Sequence, residues 1–339
     1  MRSTESGRMS KALVFGASGQ MARALVPLLA RQGWQVDAVT RSGRDLPEAL
    51  ADMATPLPMG QTRAQTIRAG GGYDAVFDPM AMDAAEAADL LAAAEDVGQF
   101  CVISTASVYT DAQGRSLETA GDTGFPRFPR QISETQTTVA AGEGYSAGKV
   151  AMEQAFAETK TTILRAGAIH GIGARHPREW WFVKRALDGR RRVPLVDQGL
   201  NIFHTTSAQS IAALTEFCLQ GAHYGVFNAA DPEALTVAQI GHAIFAAMGH
   251  SADLISADDL PEADWHVGLT PWSCEHPLRL STAKARALGW DGGPDYDSQL
   301  PAYTEWLAEH AATWQLDFPA FSAYGYDAFD YQAEDAALS

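Results

Sequence analysis

The sequence has few cysteines, no long apolar run and a deficit of basic residues. Cys101, Cys218 and Cys274 lie far apart without a CxxC spacing, which argues against a disulfide framework and against a metal site. No apolar run reaches the roughly 18 to 20 residues of a membrane helix. The N-terminal residues contain no apolar stretch of the kind that a secretory signal needs. We therefore expect a cytoplasmic protein.

The deficit of basic residues gives the chain an uneven negative charge. There are 25 basic and 41 acidic residues, a net charge of −16. From Asp231 to the end, 18 acidic residues stand against three basic ones. Because such a chain is repelled by nucleic-acid phosphates and by anionic lipid, we expect neither as a partner and favour a small-molecule substrate.

The first two thirds of the chain alternate apolar strand-like runs with helical patterns. This alternation is typical of βαβ units and a parallel sheet. Strands are predicted at residues 11–15, 34–39, 73–77, 100–104 and 161–164. Helices are predicted at residues 20–32, 83–96, 144–159, 179–188 and 233–248.

The predicted architecture is an α/β fold, a Rossmann-type doubly wound parallel sheet with a smaller C-terminal substrate-binding lobe. The dinucleotide-binding domain is expected over residues 9–166, with 203–230 returning to it. Residues 167–202 and 231–316 would form the lobe. The acidic, aromatic segment 317–339 is either a disordered tail or a strap folded back over the molecule.

A glycine-rich turn between the first strand and the first helix predicts a dinucleotide site. In Gly16-Ala-Ser-Gly19-Gln-Met-Ala22, one glycine allows a tight turn and the other lets the backbone approach a pyrophosphate. The N-terminus of the following helix supplies amide groups for the same phosphates. The cofactor contacts expected here are Gly16, Ser18, Gly19, Gln20 and Met21.

The end of the second strand favours NADP over NAD. NAD sites usually have a carboxylate there for the ribose hydroxyls, but Asp37 lies inside the strand and the strand is followed by Arg41 and Ser42. Arg41 and Ser42 could hold a 2′-phosphate through charge-assisted hydrogen bonds, or Arg41 could be a solvated loop cation. We predict NADP as the cofactor, with NAD as the alternative.

A tyrosine and a lysine four residues apart form a candidate acid–base pair. In Tyr145-Ser-Ala-Gly-Lys149 the two side chains share one helix face. An ammonium beside a phenol favours the phenolate, which makes tyrosine usable as an acid or base. Upstream, Thr105 ends a predicted strand, at the sheet edge where substrates bind.

These motifs, in this order, resemble the short-chain dehydrogenase/reductase superfamily, and most closely its extended branch, the NAD-dependent epimerase/dehydratase family. The resemblance covers roughly residues 10–310. The segments that carry it are GASGQMA, STASVY, YSAGK, RAGAIHG from Arg165, FNAADP from Phe227 and LSTAKARALGW from Leu280.

The resemblance implies a function and roles for individual residues. The function would be an NAD(P)-dependent oxidoreductase that transfers hydride between nicotinamide and a carbonyl or secondary alcohol. Among the candidate catalytic residues, Tyr145 would be the acid/base and Thr105 would hydrogen-bond the substrate oxygen. Lys149 would bind the nicotinamide ribose, and Ala168 would contact the cofactor. A homodimer is a possible assembly, since the family often pairs.

The chain departs from the sugar-nucleotide members of this branch on the substrate side. Leu200 or Asn201 stands where those enzymes have a diphosphate-binding arginine, and Ser207 stands where they have an aspartate. The dehydratases' acid after the position of Thr105 is also missing. A simple reductase or dehydrogenase is therefore favoured. The alternatives are a sugar-nucleotide epimerase or related sugar-modifying enzyme, and a non-catalytic cofactor-sensing protein.

Several residues of the predicted lobe have two interpretations. Trp180 and Trp181 either stack on a substrate or pack in the core, and His170 either lines the pocket or is structural. A basic stretch could bind an anionic substrate or pair with the acidic C-terminal third. Its members are Arg175, Arg178, Lys184, Arg185, Arg190, Arg191 and Arg192.

Overall fold

The computed structural model describes residues 9–44, 46–260 and 263–339. The N-terminal stretch in which we expect no secretory signal lies mostly outside the described residues. Its strands are β1 (Lys11–Val14), β2 (Gln35–Thr40), β3 (Thr55–Pro58), β4 (Tyr73–Asp78), β5 (Val97–Thr105), β6 (Thr161–Ala166), β7 (Ala168–His170), β8 (Arg192–Leu195), β9 (Thr205–Ser207), β10 (Gly225–Ala229) and β11 (Asp253–Ser256). Its α-helices are α1 (Gln20–Arg31), α2 (Arg63–Ala69), α3 (Ala84–Leu91), α4 (Ala120–Thr123), α5 (Tyr145–Ala155), α6 (Trp180–Leu187), α7 (Ala208–Gly221), α8 (Val237–Ala247), α9 (Ala283–Ala287), α10 (Tyr296–Glu309), α11 (Trp314–Asp317) and α12 (Tyr331–Ala337). None of these helices combines the length and the apolar character that a membrane span requires.

Seven of the strands form one parallel sheet in the order β3-β2-β1-β4-β5-β6-β10. The chain moves outward from β1 to β3 and then crosses back to β4 on the other side of β1. Strand order therefore reverses between β1 and β4, and ligands bind outside the carboxyl ends of the strands at such a point. The predicted Rossmann-type doubly wound sheet is confirmed.

Helices cover both faces of this sheet, which is why its central strands are apolar on both sides. Consecutive residues of β1 point to opposite faces. Leu13 packs in a cluster with Ile67 of α2 and Met152 of α5, whereas Val14 packs in a cluster with Leu25 of α1 and Leu214 of α7. The sheet is thus the middle of three layers.

The strand β3 and the helix α2 were not predicted from the sequence. The β3 segment reads Thr-Pro-Leu-Pro, and proline lacks the N–H that a ladder needs, so the segment does not have the pattern of a strand. It is tolerated because β3 lies at the edge of the sheet and pairs only with β2.

A second apolar core lies among α6, α8 and α10. Trp180 and Trp181 are 1% and 0% exposed and belong to it, together with Ile240 and Leu300. Of the two interpretations of the tryptophans, the core position is the one observed. The short parallel pairs β8–β11 and β7–β9 lie outside the main sheet. The boundaries predicted for the domains stay a prediction.

The C-terminal segment 317–339 folds back onto this second core, as in the strap alternative. Phe318 and Phe321 are buried in it. Arg185 donates a hydrogen bond to Glu334, and both side chains are buried. Arg190 contacts the other carboxylate oxygen of Glu334 at 3.4 Å. This part of the basic stretch therefore pairs with C-terminal acids.

Removal of the carboxylate at position 334 tests this buried pair. We expect Glu334→Ala to lower the free energy of unfolding by about 3–5 kcal/mol, because Arg185 would remain buried without a counter-charge. The control is Asp335→Ala, which removes the 62% exposed carboxylate on Arg190 and should cost less than about 1 kcal/mol. Urea unfolding measures the free energy of unfolding of both variants. Equal losses of stability would contradict the assignment of Glu334 as the buried counter-charge of Arg185.

Candidate active site

A cavity of about 980 Å³ opens at the carboxyl edge of the sheet, where the strand order reverses. We call it the central cavity. Its walls include residues that follow β1, β2, β4, β5 and β6. The predicted cofactor residues that line it are Gly16, Ser18, Gly19, Gln20, Met21, Arg41 and Ser42.

The glycine turn has the geometry of a phosphate cradle. Gly16 has a φ of +67°, which favours glycine. A Cβ atom at Gly19 would lie 3.2 Å from the carbonyl oxygen of Gly16, so a side chain there would require the turn to shift by a few tenths of an ångström. Gly19 is also the N-cap of α1, which has no side-chain cap and no acidic residue in its first turn. The positive end of α1 is therefore open to an anion at the cavity.

The end of β2 presents a cation to the central cavity. Arg41 and Ser42 line it, and among the described residues no carboxylate forms a salt bridge with Arg41. Asp37 accepts a hydrogen bond from the Tyr73 hydroxyl at 2.7 Å and pairs with Lys11 at 3.0 Å. Asp37 is thus occupied inside the sheet and does not line the cavity.

Thr105 and Tyr145 lie together in the wall of the cavity. Thr105 ends β5, and its Oγ1 accepts a hydrogen bond from the N–H of Ser107 at 3.1 Å. Tyr145 is the first residue of α5 and is 48% exposed. Parallel strand ends and the N-terminus of the next helix meet at this edge, so the two hydroxyls face a common space.

Glu118 holds the start of α5 and was not predicted. Its carboxylate accepts hydrogen bonds from the backbone N–H groups of Tyr145 at 3.3 Å and Ser146 at 2.9 Å. A carboxylate at a helix N-terminus is favourable because of the helix dipole. Nothing in the sequence pairs Glu118 with a helix that begins 27 residues later.

Lys149 is buried behind this wall instead of lining it. It is 3% exposed, and its Nζ donates to the carbonyl oxygens of Ala81 and Ile103, each at 2.7 Å. Burial lowers the pKa of Lys149 to about 8, although Asp78 and Glu86 act in the opposite direction. An ammonium has three N–H groups, so one is left for a further acceptor.

Ala168 lies in β7 between two residues that line the cavity. Its neighbours Gly167 and Ile169 are in the wall, while Ala168 is 2% exposed and donates its backbone N–H to the carbonyl of His204 at 2.9 Å. The roles assigned to Thr105, Tyr145, Lys149 and Ala168 stay predictions, and the structure brings all four to the same end of the sheet.

Asp78 shapes the wall after β4 and was also missed. It is fully buried, its Oδ1 accepts from the backbone N–H of Met80 at 2.6 Å, and its Oδ2 accepts from Arg63 at 2.5 Å. These contacts hold the Pro79–Met80 turn that lines the cavity. A carboxylate that directly ends an apolar strand is the signal that could have identified it.

His170 and His204 are buried and do not line the central cavity. The Nε2 of His170 lies 2.7 Å from Asp231, and His170 is buried. Burial disfavours the imidazolium, but the neighbouring carboxylates of Asp231 and Glu179 outweigh this and raise the pKa of His170. His204 donates from Nε2 to the carbonyl of Asp231 at 3.0 Å and accepts from the N–H of Leu280 at its Nδ1.

No family model and no curated protein matches the sequence. Solved structures do match the fold. WbmH from Bordetella bronchiseptica in complex with NAD+ has a TM-score of 0.65 and 16% identity, over 90% of this chain and 100% of that chain. The UDP-glucose 4-epimerase of Thermus thermophilus in complex with NAD has a TM-score of 0.63 and 16% identity, over 88% of this chain and 99% of that chain.

A third structure, the UDP-N-acetylglucosamine 4-epimerase from Bacillus cereus, has a TM-score of 0.63 and 17% identity, over 89% of this chain and 99% of that chain. The chain has the fold of these proteins. The fold that the resemblance implied is therefore confirmed.

The different burial of the two motif residues gives a stability prediction. Lys149→Met would leave the carbonyls of Ala81 and Ile103 unpaired in the interior, so we expect a loss of about 1–3 kcal/mol in the free energy of unfolding. Tyr145→Phe removes a half-exposed hydroxyl and should change it by less than about 0.5 kcal/mol. Denaturant unfolding of both variants distinguishes them, and an unchanged Lys149→Met protein would refute the observed contacts.

Proposed function

We propose that this protein is a nicotinamide-dependent oxidoreductase that acts on a carbonyl or secondary alcohol of a small molecule. One observation carries the proposal: the glycine turn, Thr105 and Tyr145 line one cavity, and Lys149 follows Tyr145 by four residues on the same helix. The fold shared with NAD-bound structures supports the same class of cofactor.

The residues present fit a dinucleotide. The open N-terminus of α1 and the turn from Gly16 to Gly19 would bind the pyrophosphate, and Arg41 with Ser42 would bind the adenosine ribose side. The third N–H of Lys149 would reach a ribose hydroxyl. When bound, nicotinamide supplies or accepts the hydride.

The protein's own contribution to the reaction is the movement of one proton and the stabilisation of one oxygen. The Tyr145 hydroxyl would give its proton to the substrate oxygen in reduction and take it back in oxidation. Thr105 would donate a hydrogen bond to that same oxygen as negative charge develops on it.

Replacement of the phenol tests the chemistry. We expect Tyr145→Phe to lower kcat by about 10²-fold or more, as for the loss of a general acid, and to leave the cofactor dissociation constant unchanged. A screen of carbonyl compounds followed by NADPH absorbance gives the first quantity, and calorimetry gives the second. Full turnover in the variant would refute the role of Tyr145.

The choice of cofactor rests on Arg41, although the NAD complexes among the compared structures favour NAD. With a 2′-phosphate bound to its guanidinium, Arg41→Ala should weaken NADPH binding by about tenfold or more and leave NADH binding unchanged. Arg31→Ala, at the exposed far end of α1, is the control. If Arg41→Ala weakened both cofactors equally, NAD would become the better assignment.

A sugar-nucleotide epimerase is the second candidate, because two of the three compared structures are such enzymes. It shares the glycine turn, Thr105 and Tyr145 but returns the hydride within one turnover, so cofactor absorbance would not change at steady state. Incubation with UDP-glucose and detection of a new sugar epimer without net NADH formation would replace the first proposal with this one.

A further inference from the structure

The central cavity is positively charged in a protein that is otherwise acidic. In the described part of the chain its lining includes Arg41, Arg175 and Arg178 but no aspartate or glutamate, while the net charge of the chain is −16. Cations confined to a cleft raise the local concentration of anions there. Arg41 at the end of β2 would bind a phosphate of the dinucleotide. The proposed cofactor contacts do not include Arg178.

Arg178 lies at the substrate end of the cavity. Its Cζ is 5.7 Å from the centre of the Phe203 ring. Phe203 in turn packs against the cluster that contains Ala106 and Val108, the residues just after Thr105. Arg178 and Phe203 line the same cavity as Thr105 and Tyr145, whose hydroxyls would face the reacting oxygen.

The charge of Arg178 has no partner within the described residues. No carboxylate forms a salt bridge with it there, and its Nε is buried without a hydrogen-bond partner. Arg185 and Arg190 of the same basic stretch pair with Glu334. Within the stretch, Arg185 and Arg190 thus hold the C-terminal segment, whereas Arg175 and Arg178 line the cavity.

No other cation serves this end of the cavity among the described lining residues, apart from Arg175. Burial, together with the nearby Arg178, lowers the pKa of His176 to about 4, so His176 is uncharged at neutral pH. At the position of the sugar-nucleotide enzymes' arginine, Leu200 is 62% exposed, and Asn201 is bound to Asp197 at 2.6 Å.

We infer that Arg178, assisted by Arg175, binds a carboxylate or phosphate group on the substrate. The inference rests on the proposed function for the reacting part of that molecule. A guanidinium binds either anion through paired N–H groups. The ring of Phe203 beside it offers an apolar face, which suits a small molecule with an apolar group next to its charge.

The test uses three probes of similar shape: benzoate, phenyl phosphate and uncharged benzyl alcohol. Each is titrated calorimetrically into wild type, Arg178→Gln and Arg191→Gln. Arg191 is an exposed arginine of the same lobe that binds the Ser251 carbonyl and does not line the cavity. We expect at least one anion to bind wild type and Arg191→Gln about tenfold or more tighter than benzyl alcohol.

Arg178→Gln should abolish that preference while NADPH and NADH bind as before. Arg178→Lys keeps the charge but loses the paired geometry and should retain part of the preference, which separates a lost subsite from a folding defect. Tighter binding of benzoate identifies a carboxylate, and tighter binding of phenyl phosphate identifies a phosphate.

Two results would overturn the inference. One is that neither anion binds better than benzyl alcohol to wild type. The other is that Arg178→Gln weakens NADPH and NADH but leaves anion binding unchanged, which would assign Arg178 to the cofactor. These readouts do not depend on turnover, so an inactive protein with an Arg178-dependent anion preference would refute the proposed function alone.

Discussion

The reversal of strand order between β1 and β4 is the constraint on which the site depends. The crossover from β3 back to β4 leaves the connections after β1 and β4 on opposite sides of a gap, and the central cavity occupies that gap. The glycine turn follows one of these strands, and the Pro79–Met80 turn follows the other. Thr105 at the end of β5 extends the same edge. Segments that lie far apart in the chain are thereby brought to one cavity.

Within that frame, the buried ammonium of Lys149 links the sheet to the chemistry. Its Nζ donates hydrogen bonds to the carbonyl oxygens of Ala81, which follows β4, and of Ile103 in β5. These two hydrogen bonds join the carboxyl ends of the neighbouring strands. Burial disfavours the charged ammonium and lowers the pKa of Lys149 to about 8. The same burial shields the protonated ammonium from the screening by water that a solvated lysine experiences.

Charge is segregated in the second part of the molecule. The acidic C-terminal segment neutralises Arg185 and Arg190 through Glu334 and Asp335, and its aromatic residues pack in the core around Trp180 and Trp181. Arg175 and Arg178, by contrast, line a cavity whose described lining contains no carboxylate. One stretch of basic sequence is thus divided: part of it pairs with the C-terminal acids, and part of it lines the cavity.

Short-range patterns in the sequence were sufficient for the Rossmann-type fold, the glycine turn and the Tyr145–Lys149 pair, because each depends on spacing within one element or one connection. The strand β3 was not predicted because its prolines argue against a strand, and the sequence of the segment does not show that it lies at the edge of the sheet. The support of α5 by Glu118, and the division between Arg178 and Arg185, were decided only by tertiary structure. Glu334 lies 149 residues from Arg185, and no local preference indicates which of several neighbouring arginines will be buried against it. Whether a charge is paired or left to face a cavity is set by which surfaces the folded chain brings together.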